Sequence, residues 1–208
     1  MKKSTENKPG EENVPPQQIG TEMNAVEKIE LPSEAEAIHF FRTVKMRLLD
    51  VNRWAEVAGV PLSTFRLTDC HGNEVHRSVV EGDYLKIDIP GPGTKTGSGY
   101  DWVVVEQIRE EIRDGVEILT MTVRPAANPL NEDVHIAHFL TDQATSTFQV
   151  KRIENTIYAE EHGRNETPNT DTGYVLDNVR NAFVGWTAKI GFSYPQWKSL
   201  VNGLINEE

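Results

Sequence analysis

The sequence predicts an α+β protein in which a curved antiparallel sheet of about seven strands wraps around a C-terminal helical segment. Three observations predict this fold class. Residues 84–124 read as three consecutive strands joined by short connections, a helical pattern covers residues 34–58, and a second one runs from residue 175 towards the C-terminus. A sheet of this length curls, and the helices are the only other large apolar bodies that can cover its concave face.

The central strands are defined by their alternation. In residues 84–90, three apolar side chains share one face and two charged side chains share the other, which is typical of a half-buried strand. Residues 100–109 are rich in valine and aromatic residues, which predicts a central strand that is covered on both faces near its start. Asp114-Gly115 marks a tight hairpin, after which residues 116–124 form the return strand.

The other elements follow from start signals and periodicity. Ser33 and Glu36 have the spacing of a capping box at the start of the first helical segment, which has a break near Leu49. Ser193 can cap a final helix, and Pro195 is tolerated in its first turn. Further strands are predicted at residues 25–31, 65–69, 145–153 and 156–162.

Composition limits the domain organisation and the classes of partner. Residues 1–24 are predicted to be a disordered tail, because most of this stretch is polar and lacks aromatic residues, and residues 25–208 are predicted to form a single domain. A net charge of −11 argues against sequence-independent nucleic-acid binding and against anionic membrane surfaces. Cys70 is the single cysteine, so no intrachain disulfide can form. No stretch resembles a signal peptide or approaches the roughly 18 apolar residues that cross a bilayer, so we expect no membrane insertion and a cytoplasmic location.

The order of these elements resembles that of the START-like superfamily, also called SRPBCC or helix-grip proteins, which includes polyketide cyclases and plant ligand-binding proteins. The similarity covers roughly residues 25–205 as an order of elements. The residues that carry it are Leu49-Asp50, Trp54, the run Thr-Ser-Thr-Phe-Gln-Val-Lys-Arg at 145–152, residues 157–165, Trp197 and Leu200. The chain departs from the family in its longer first helical segment and in the interruption of the C-terminal helix at Gly191. The resemblance implies a cavity between the sheet and the C-terminal helix.

Several charged residues occur in otherwise apolar strands. Glu106 and Arg152 each share a strand face with large apolar side chains. If both point inward, they must pair with each other, with a ligand or with water, because an unpaired buried charge costs several kcal/mol. The alternative is that both lie on the solvent face. Glu161 and His162 are neighbours near the end of the last strand, so one of them must face inward.

The predicted ligand cavity combines these charged residues with apolar ones. The aromatic members are more typical of a core than of a ligand box. The whole predicted set is Trp54, Phe65, Ile87, Trp102, Val104, Glu106, Met121, Phe148, Arg152, Val179, Phe183 and Trp186.

Other motifs carry less information. The glycine-rich residues 91–99 match neither phosphate-loop pattern, and a strand follows where both patterns require a helix, so a flexible connection is favoured. His135 and His138 could share one helix face and bind zinc, but no third ligand has a defined spacing, which favours a polar loop. The long segment 126–144 is typical of a lid or binding loop.

The sequence therefore predicts noncatalytic binding of an apolar or amphipathic small molecule, without a cofactor or a metal. Two alternatives stay open. One is a cyclase-like or dehydratase-like enzyme in which a pocket carboxylate such as Glu106 or Glu161 acts as acid or base. The other is a protein-interaction domain whose groove is filled by side chains, and whose acidic surface would suit a basic partner. The sequence does not identify a protein partner.

Overall fold

The described residues form one antiparallel sheet and three α-helices. The computed structural model describes residues 9–59, 63–89, 93–172, 174, 176–178, 181 and 193–207. Within them the strands are β1 (Thr21–Glu30), β2 (Thr64–Thr68), β3 (Tyr84–Asp88), β4 (Asp101–Arg113), β5 (Val116–Pro125), β6 (Thr145–Ile153) and β7 (Thr156–Glu166). The helices are α1 (Glu34–Leu49), α2 (Trp54–Ala58) and α3 (Ser193–Leu204), with 3-10 turns at Glu11–Asn13 and Val51–Arg53.

The sheet has the order β1-β7-β6-β5-β4-β3-β2, and every neighbouring pair is antiparallel. Consecutive strands from β2 to β7 are neighbours, and β1 closes the far edge beside β7. The helices pack against one face of the sheet, which we call the inner face; the other is the outer face. The predicted α+β helix-grip arrangement, an antiparallel sheet with a C-terminal helix against it, is confirmed.

The inner face is covered by apolar side chains from every strand and helix. On α1 the buried positions are Ala37, Phe41, Val44 and Leu48, which repeat at helical spacing. Ile38, which directly follows Ala37, is 37% exposed and lies outside this stripe. The sheet contributes Ala25, Phe65, Leu67, Leu85, Ile87, Val103, Val105, Leu119, Met121, Val123, Phe148, Val150, Ile157 and Ala159.

Four aromatic rings join the two sides of this core. The ring of Trp54 on α2 lies 5.4 Å from that of Phe65 and 4.7 Å from that of Phe148. Trp197 on α3 completes the group, with its ring 5.9 Å from Phe65 and 5.2 Å from Phe148. We call these four residues the aromatic cluster. The cluster therefore connects α2 and α3 to the edge strand β2 and to β6 in the middle of the sheet.

The segment before β1 lies on the outer face. The side chain of Gln149 donates to the carbonyl of Gly10 at 3.1 Å, and Asn13 donates to the Glu111 carboxylate at 2.7 Å. β1 begins at Thr21, so the domain boundary predicted at residue 25 falls inside this strand. The predicted tail therefore includes residues that contact the sheet, and its residues 1–8 lie outside the described part of the chain.

No helix in the described ranges is long and apolar enough to cross a bilayer.

The N-terminus of α1 gives a first testable prediction. The Ser33 hydroxyl accepts the N–H of Glu36 at 3.2 Å and donates to its carboxylate at 3.0 Å, as the spacing of the two residues predicted. Because alanine supplies no acceptor for this N–H, Ser33→Ala should lower the free energy of unfolding by about 1 kcal/mol. Urea unfolding followed by circular dichroism measures the change. Ser33→Asp keeps an acceptor and should therefore lower the free energy of unfolding much less. Equal reductions for the two variants would contradict the capping role.

Candidate functional site

Five residues of the predicted cavity lie on the inner face, where they form packed core. They are Trp54, Phe65, Ile87, Met121 and Phe148. The space between α2, β2 and α3, which Trp54 and Phe65 line, is too narrow to hold a water molecule. The rings of Trp54, Phe65 and Phe148 therefore pack together in the core, as their aromatic character indicated.

Three predicted cavity residues lie on the outer face instead. Val103 and Val105 point inward, so their neighbours Trp102 and Val104 point outward. Trp102 is buried beneath the loops and donates its indole N–H to the Gly97 carbonyl at 3.1 Å. Their placement in an inner cavity was wrong, because both faces of this strand are apolar at its start and the pattern does not tell which one is inner.

Glu106 is the third of these residues, and it lies at a β-bulge. The register of β4 against β5 shifts between Val105 and Gln107, and Glu106 is the extra residue. Its carboxylate is exposed and pairs with Arg124, with Nε and Oε1 2.5 Å apart. Glu106 therefore lies on the solvent face, which the sequence left open as the alternative, and its assignment to the cavity is corrected. This position also removes Glu106 as a pocket acid or base.

Arg152 does lie on the inner side, but at the end of the sheet where β6 turns into β7. Its guanidinium donates to the Glu34 carboxylate at 3.2 Å and to the Glu154 carbonyl at 3.0 Å. It therefore fastens the start of α1 to the β6–β7 turn. Val179, Phe183 and Trp186, which the sequence assigned to the opposite wall of the cavity, lie outside the described residues.

The inner face carries one buried carboxylate without a partner. Ile157 and Ala159 point into the core, and strand alternation places Glu161 on the same face. Glu161 is 0% exposed and lies opposite Phe148 of β6 and Ala25 of β1. Among the described residues, no group forms a hydrogen bond with either of its carboxylate oxygens. The expectation that one residue of the Glu161–His162 pair faces inward is thus met by Glu161.

A second carboxylate reaches the same region because β7 is irregular. The register of β1 against β7 shifts between Thr21 and Met23, and Asn165 has a left-handed backbone with φ 56°. This bulge brings the side chain of Glu166 over Gly163, where a Cβ atom would lie 2.6 Å from Glu166 Oε1. Thr21 donates to the other oxygen at 3.4 Å. We call Glu161 and Glu166 the carboxylate pair.

The segment before β1 holds this bulge in place. The side-chain oxygen of Asn165 accepts the backbone N–H groups of Gln18 at 2.7 Å and Ile19 at 3.2 Å. The Asn165 N–H in turn donates to the side chain of Gln17 at 2.9 Å. Asparagine tolerates a left-handed backbone better than most residues, and these bonds keep it there. The position of Glu166 therefore depends on residues about 150 positions earlier in the chain.

Burial dominates the electrostatics of the carboxylate pair. Burial raises the pKa of Glu161 well above the ordinary value of 4.5, and the negative charge of Glu166 raises it further. The Ser146 hydroxyl and the Arg164 guanidinium act in the opposite direction, although Ser146 does not reach hydrogen-bonding geometry. Burial also raises the pKa of Glu166. A carboxyl group in this state can donate a hydrogen bond or a proton while neutral, and it can bind a cation when ionised.

The neighbouring polar residues are occupied elsewhere. His162 faces outward, with Nε2 2.9 Å from the Glu160 carboxylate and Nδ1 2.6 Å from the Asn24 side chain. The Arg164 guanidinium donates to the carbonyls of Met23 at 3.1 Å and Gly163 at 2.8 Å. Neither side chain neutralises the carboxylate pair through a direct hydrogen bond.

The loops at the same end of the sheet bind one another. The N–H groups of Lys95 and Thr96 in the glycine-rich loop both donate to the Asp177 carboxylate at 2.9 Å. These two backbone donors are therefore satisfied within the protein. His135 contacts Asp133, with Nδ1 and Oδ1 2.6 Å apart, and the ring of His138 accepts the N–H of Leu140 at 3.0 Å. In the part of the chain that the structure describes, no cluster of three or more acidic, histidine or cysteine side chains is arranged to hold a metal ion.

A further depression lies at the opposite end of the sheet. It is open to solvent, has a volume of about 490 Å³, and is lined by Ser33, Glu34, Asp114, Gly115, Glu154 and Asn155. Its polar, shallow lining does not resemble an apolar small-molecule site.

Comparison with known proteins assigns the chain to no family. No protein-family model and no curated protein matches the chain. Among solved structures, a hypothetical protein, jhp0584, from Helicobacter pylori is 12% identical with a TM-score of 0.44, over 88% of this chain and 86% of that one. Protein Ms6760 from Mycobacterium smegmatis is 10% identical with a TM-score of 0.37, over 88% of each chain. Ara h 8.0201 is 11% identical with a TM-score of 0.32, over 89% of this chain and 99% of that one. These values are too low to transfer a ligand or an activity.

Proposed function

We propose that this protein is a noncatalytic START-like domain that binds an amphipathic small molecule between the inner face of the sheet and the C-terminal helical segment, with Glu161 as the polar anchor. The observation that carries the proposal is the buried Glu161 carboxyl group, which has no hydrogen-bond partner among the described residues. Buried polar groups in folded proteins are nearly always hydrogen-bonded, so a group of this kind points to a missing partner such as a ligand.

The surroundings of Glu161 support an amphipathic ligand. Its cross-strand neighbours are Phe148 and Ala25, and Ala159 precedes it on the same face. Binding sites for small molecules usually combine an apolar lining with a few polar groups that fix the orientation of the ligand. Since the aromatic cluster already fills the space beside α2, the proposed site lies at the end of the inner face where β6 begins and β7 ends.

Titration with the neutral fluorescent probe N-phenyl-1-naphthylamine tests this function. We expect saturable binding with one probe per chain. Ser146→Trp should weaken binding at least about tenfold, because Ser146 shares the inner face with Glu161 and a large ring there would fill the site. Val26→Trp is the matched control, since Val26 is 48% exposed on the outer face of the adjacent strand β1.

Two results would contradict the proposal. One is the absence of saturable probe binding to a folded protein, as judged by circular dichroism. The other is equal binding by the wild type, Ser146→Trp and Val26→Trp, because the probe would then bind somewhere other than the site beside Glu161.

A further inference from the structure

The carboxylate pair also indicates which polar group the ligand carries. Two carboxyl groups lie on the same part of the inner face, and one of them is fully buried with no hydrogen-bond partner in the described part of the chain. Within the same residues, the carboxylate of the other accepts a hydrogen bond only from Thr21, at the long distance of 3.4 Å. When both groups are ionised, a ligand that completes this site must supply hydrogen-bond donors, because ionised carboxylates only accept, and a cationic ligand also favours this ionised state.

Charge separates the candidate donors. The chain has a net charge of −11, and Arg164 directs its hydrogen bonds to Met23, Gly163 and Asn24 rather than to the carboxylate pair. A ligand carboxylate would add another negative group to this acidic region, and like charges in a poorly solvated site repel strongly. An alcohol would offer a single donor and leave the other carboxyl group unsatisfied. A protonated amine offers up to three donors together with a compensating charge.

We infer that the site selects ligands with a protonated amine on an apolar body, in preference to alcohols and carboxylates of the same length. This inference rests on the proposed function, because it names the polar group of the ligand that the same site would bind. The ammonium group would lie between Glu161 and Glu166, and its apolar chain would lie on the inner face at the start of β6, beside the aromatic cluster and not within it. The apolar part supplies affinity through burial, and the carboxylate pair supplies selectivity.

Competition between three ligands of equal chain length tests the inference. Dodecylamine, dodecanol and dodecanoate are each used below their micellar concentration to displace bound N-phenyl-1-naphthylamine at neutral pH. We expect dodecylamine to displace the probe at concentrations at least about tenfold lower than dodecanol, because it replaces a neutral hydrogen bond by charge-assisted ones. Dodecanoate should be the weakest competitor.

A matched pair of variants excludes adsorption of the amine to the acidic surface. Glu161→Gln and Glu106→Gln each replace one carboxyl group by an amide, but only the first changes the carboxylate pair, since Glu106 is exposed and paired with Arg124. Glu161→Gln should weaken the binding of dodecylamine at least about tenfold and should hardly change the binding of dodecanol. Glu106→Gln should change the affinity for either ligand by no more than about twofold.

A second readout does not depend on a variant. If a proton held by the carboxylate pair leaves when the ammonium binds, calorimetry in two buffers of different ionisation enthalpy will show net proton release with dodecylamine and none with dodecanol.

The outcomes separate this inference from the proposed function. If the three ligands displace the probe equally well, or if the two glutamine variants behave alike, the amine selectivity is overturned while small-molecule binding stands. If neither the probe nor any of the three ligands binds, both proposals fail.

Discussion

Replacing Trp54 by alanine is expected to lower the free energy of unfolding by about 3–5 kcal/mol, the usual cost of removing a large buried aromatic side chain. Trp54 is fully buried in the aromatic cluster, where its ring contacts those of Phe65 and Phe148. Its indole N–H donates to the Leu48 carbonyl at 3.0 Å, so the side chain also fixes the break between α1 and α2. Domains have only about 5–15 kcal/mol of stability, so this loss should be visible as a large shift of the urea midpoint.

Two further variants separate the contributions of packing and hydrogen bonding. Trp54→Phe keeps most of the ring contacts but leaves the Leu48 carbonyl without its donor, so it should cost less than the alanine variant. Met46→Ala is the control for a general effect on the helical segment, because Met46 is 63% exposed on α1, and it should change stability by no more than about 0.5 kcal/mol. A loss at Trp54→Ala no larger than that of Met46→Ala would show that the aromatic cluster does not hold the helices to the sheet.

Local patterns predicted most of the fold because they depend on neighbouring residues. Asp114-Gly115 predicted a tight hairpin, and the structure pairs Arg113 with Val116 around Gly115, whose φ is 70°. Strand alternation gave β6 its exact bounds, and the capping spacing gave the start of α1 at Glu34. In each case, the residues that fix the geometry lie within a few positions of one another.

The candidate site was harder to predict because it depends on irregularities in the sheet. Glu106 shares its face with Trp102 and Val104, and the pattern of β4 does not tell that this face is the outer one. A second bulge at Asn165 returns Glu166 to the face of Glu161, in a part of β7 that the sequence left outside the strand.

The contacts that hold the second bulge come from the segment before β1. No local periodicity connects two parts of the chain that are so far apart, so composition alone assigned the early segment to a disordered tail. Glu161 itself follows simple alternation from Ile157 and Ala159, which is why the sequence could name it as one of two inward candidates.

Replacing Glu161 by leucine is expected to stabilise the protein, and to do so more strongly as the pH rises. Leucine fills a similar volume and carries no polar group. The substitution therefore removes the cost of a buried unsatisfied polar group, which is about 1–3 kcal/mol. The pKa of Glu161 is raised in the fold, mainly by burial and also by Glu166, with Ser146 and Arg164 opposing the rise. Between the ordinary pKa and the raised one, the folded protein keeps a proton that the unfolded chain releases. The free energy of unfolding of the wild type therefore falls as the pH increases through that window, by up to about 1.4 kcal/mol per pH unit.

The difference between the two proteins reports the titration of Glu161 together with its coupling to Glu166, because the remaining titrating groups are common to both. We expect the free energy of unfolding of Glu161→Leu to exceed that of the wild type by a small margin at about pH 5 and by a larger margin at about pH 8. Urea unfolding at both pH values measures the difference. The free energy of unfolding of Glu106→Leu should differ from that of the wild type by no more than about 0.5 kcal/mol at both pH values, since this substitution breaks one exposed ion pair. A Glu161→Leu advantage that does not change with pH would mean that the carboxylate is already neutralised or hydrated inside the fold, and the case for a ligand at this position would lose its physical basis.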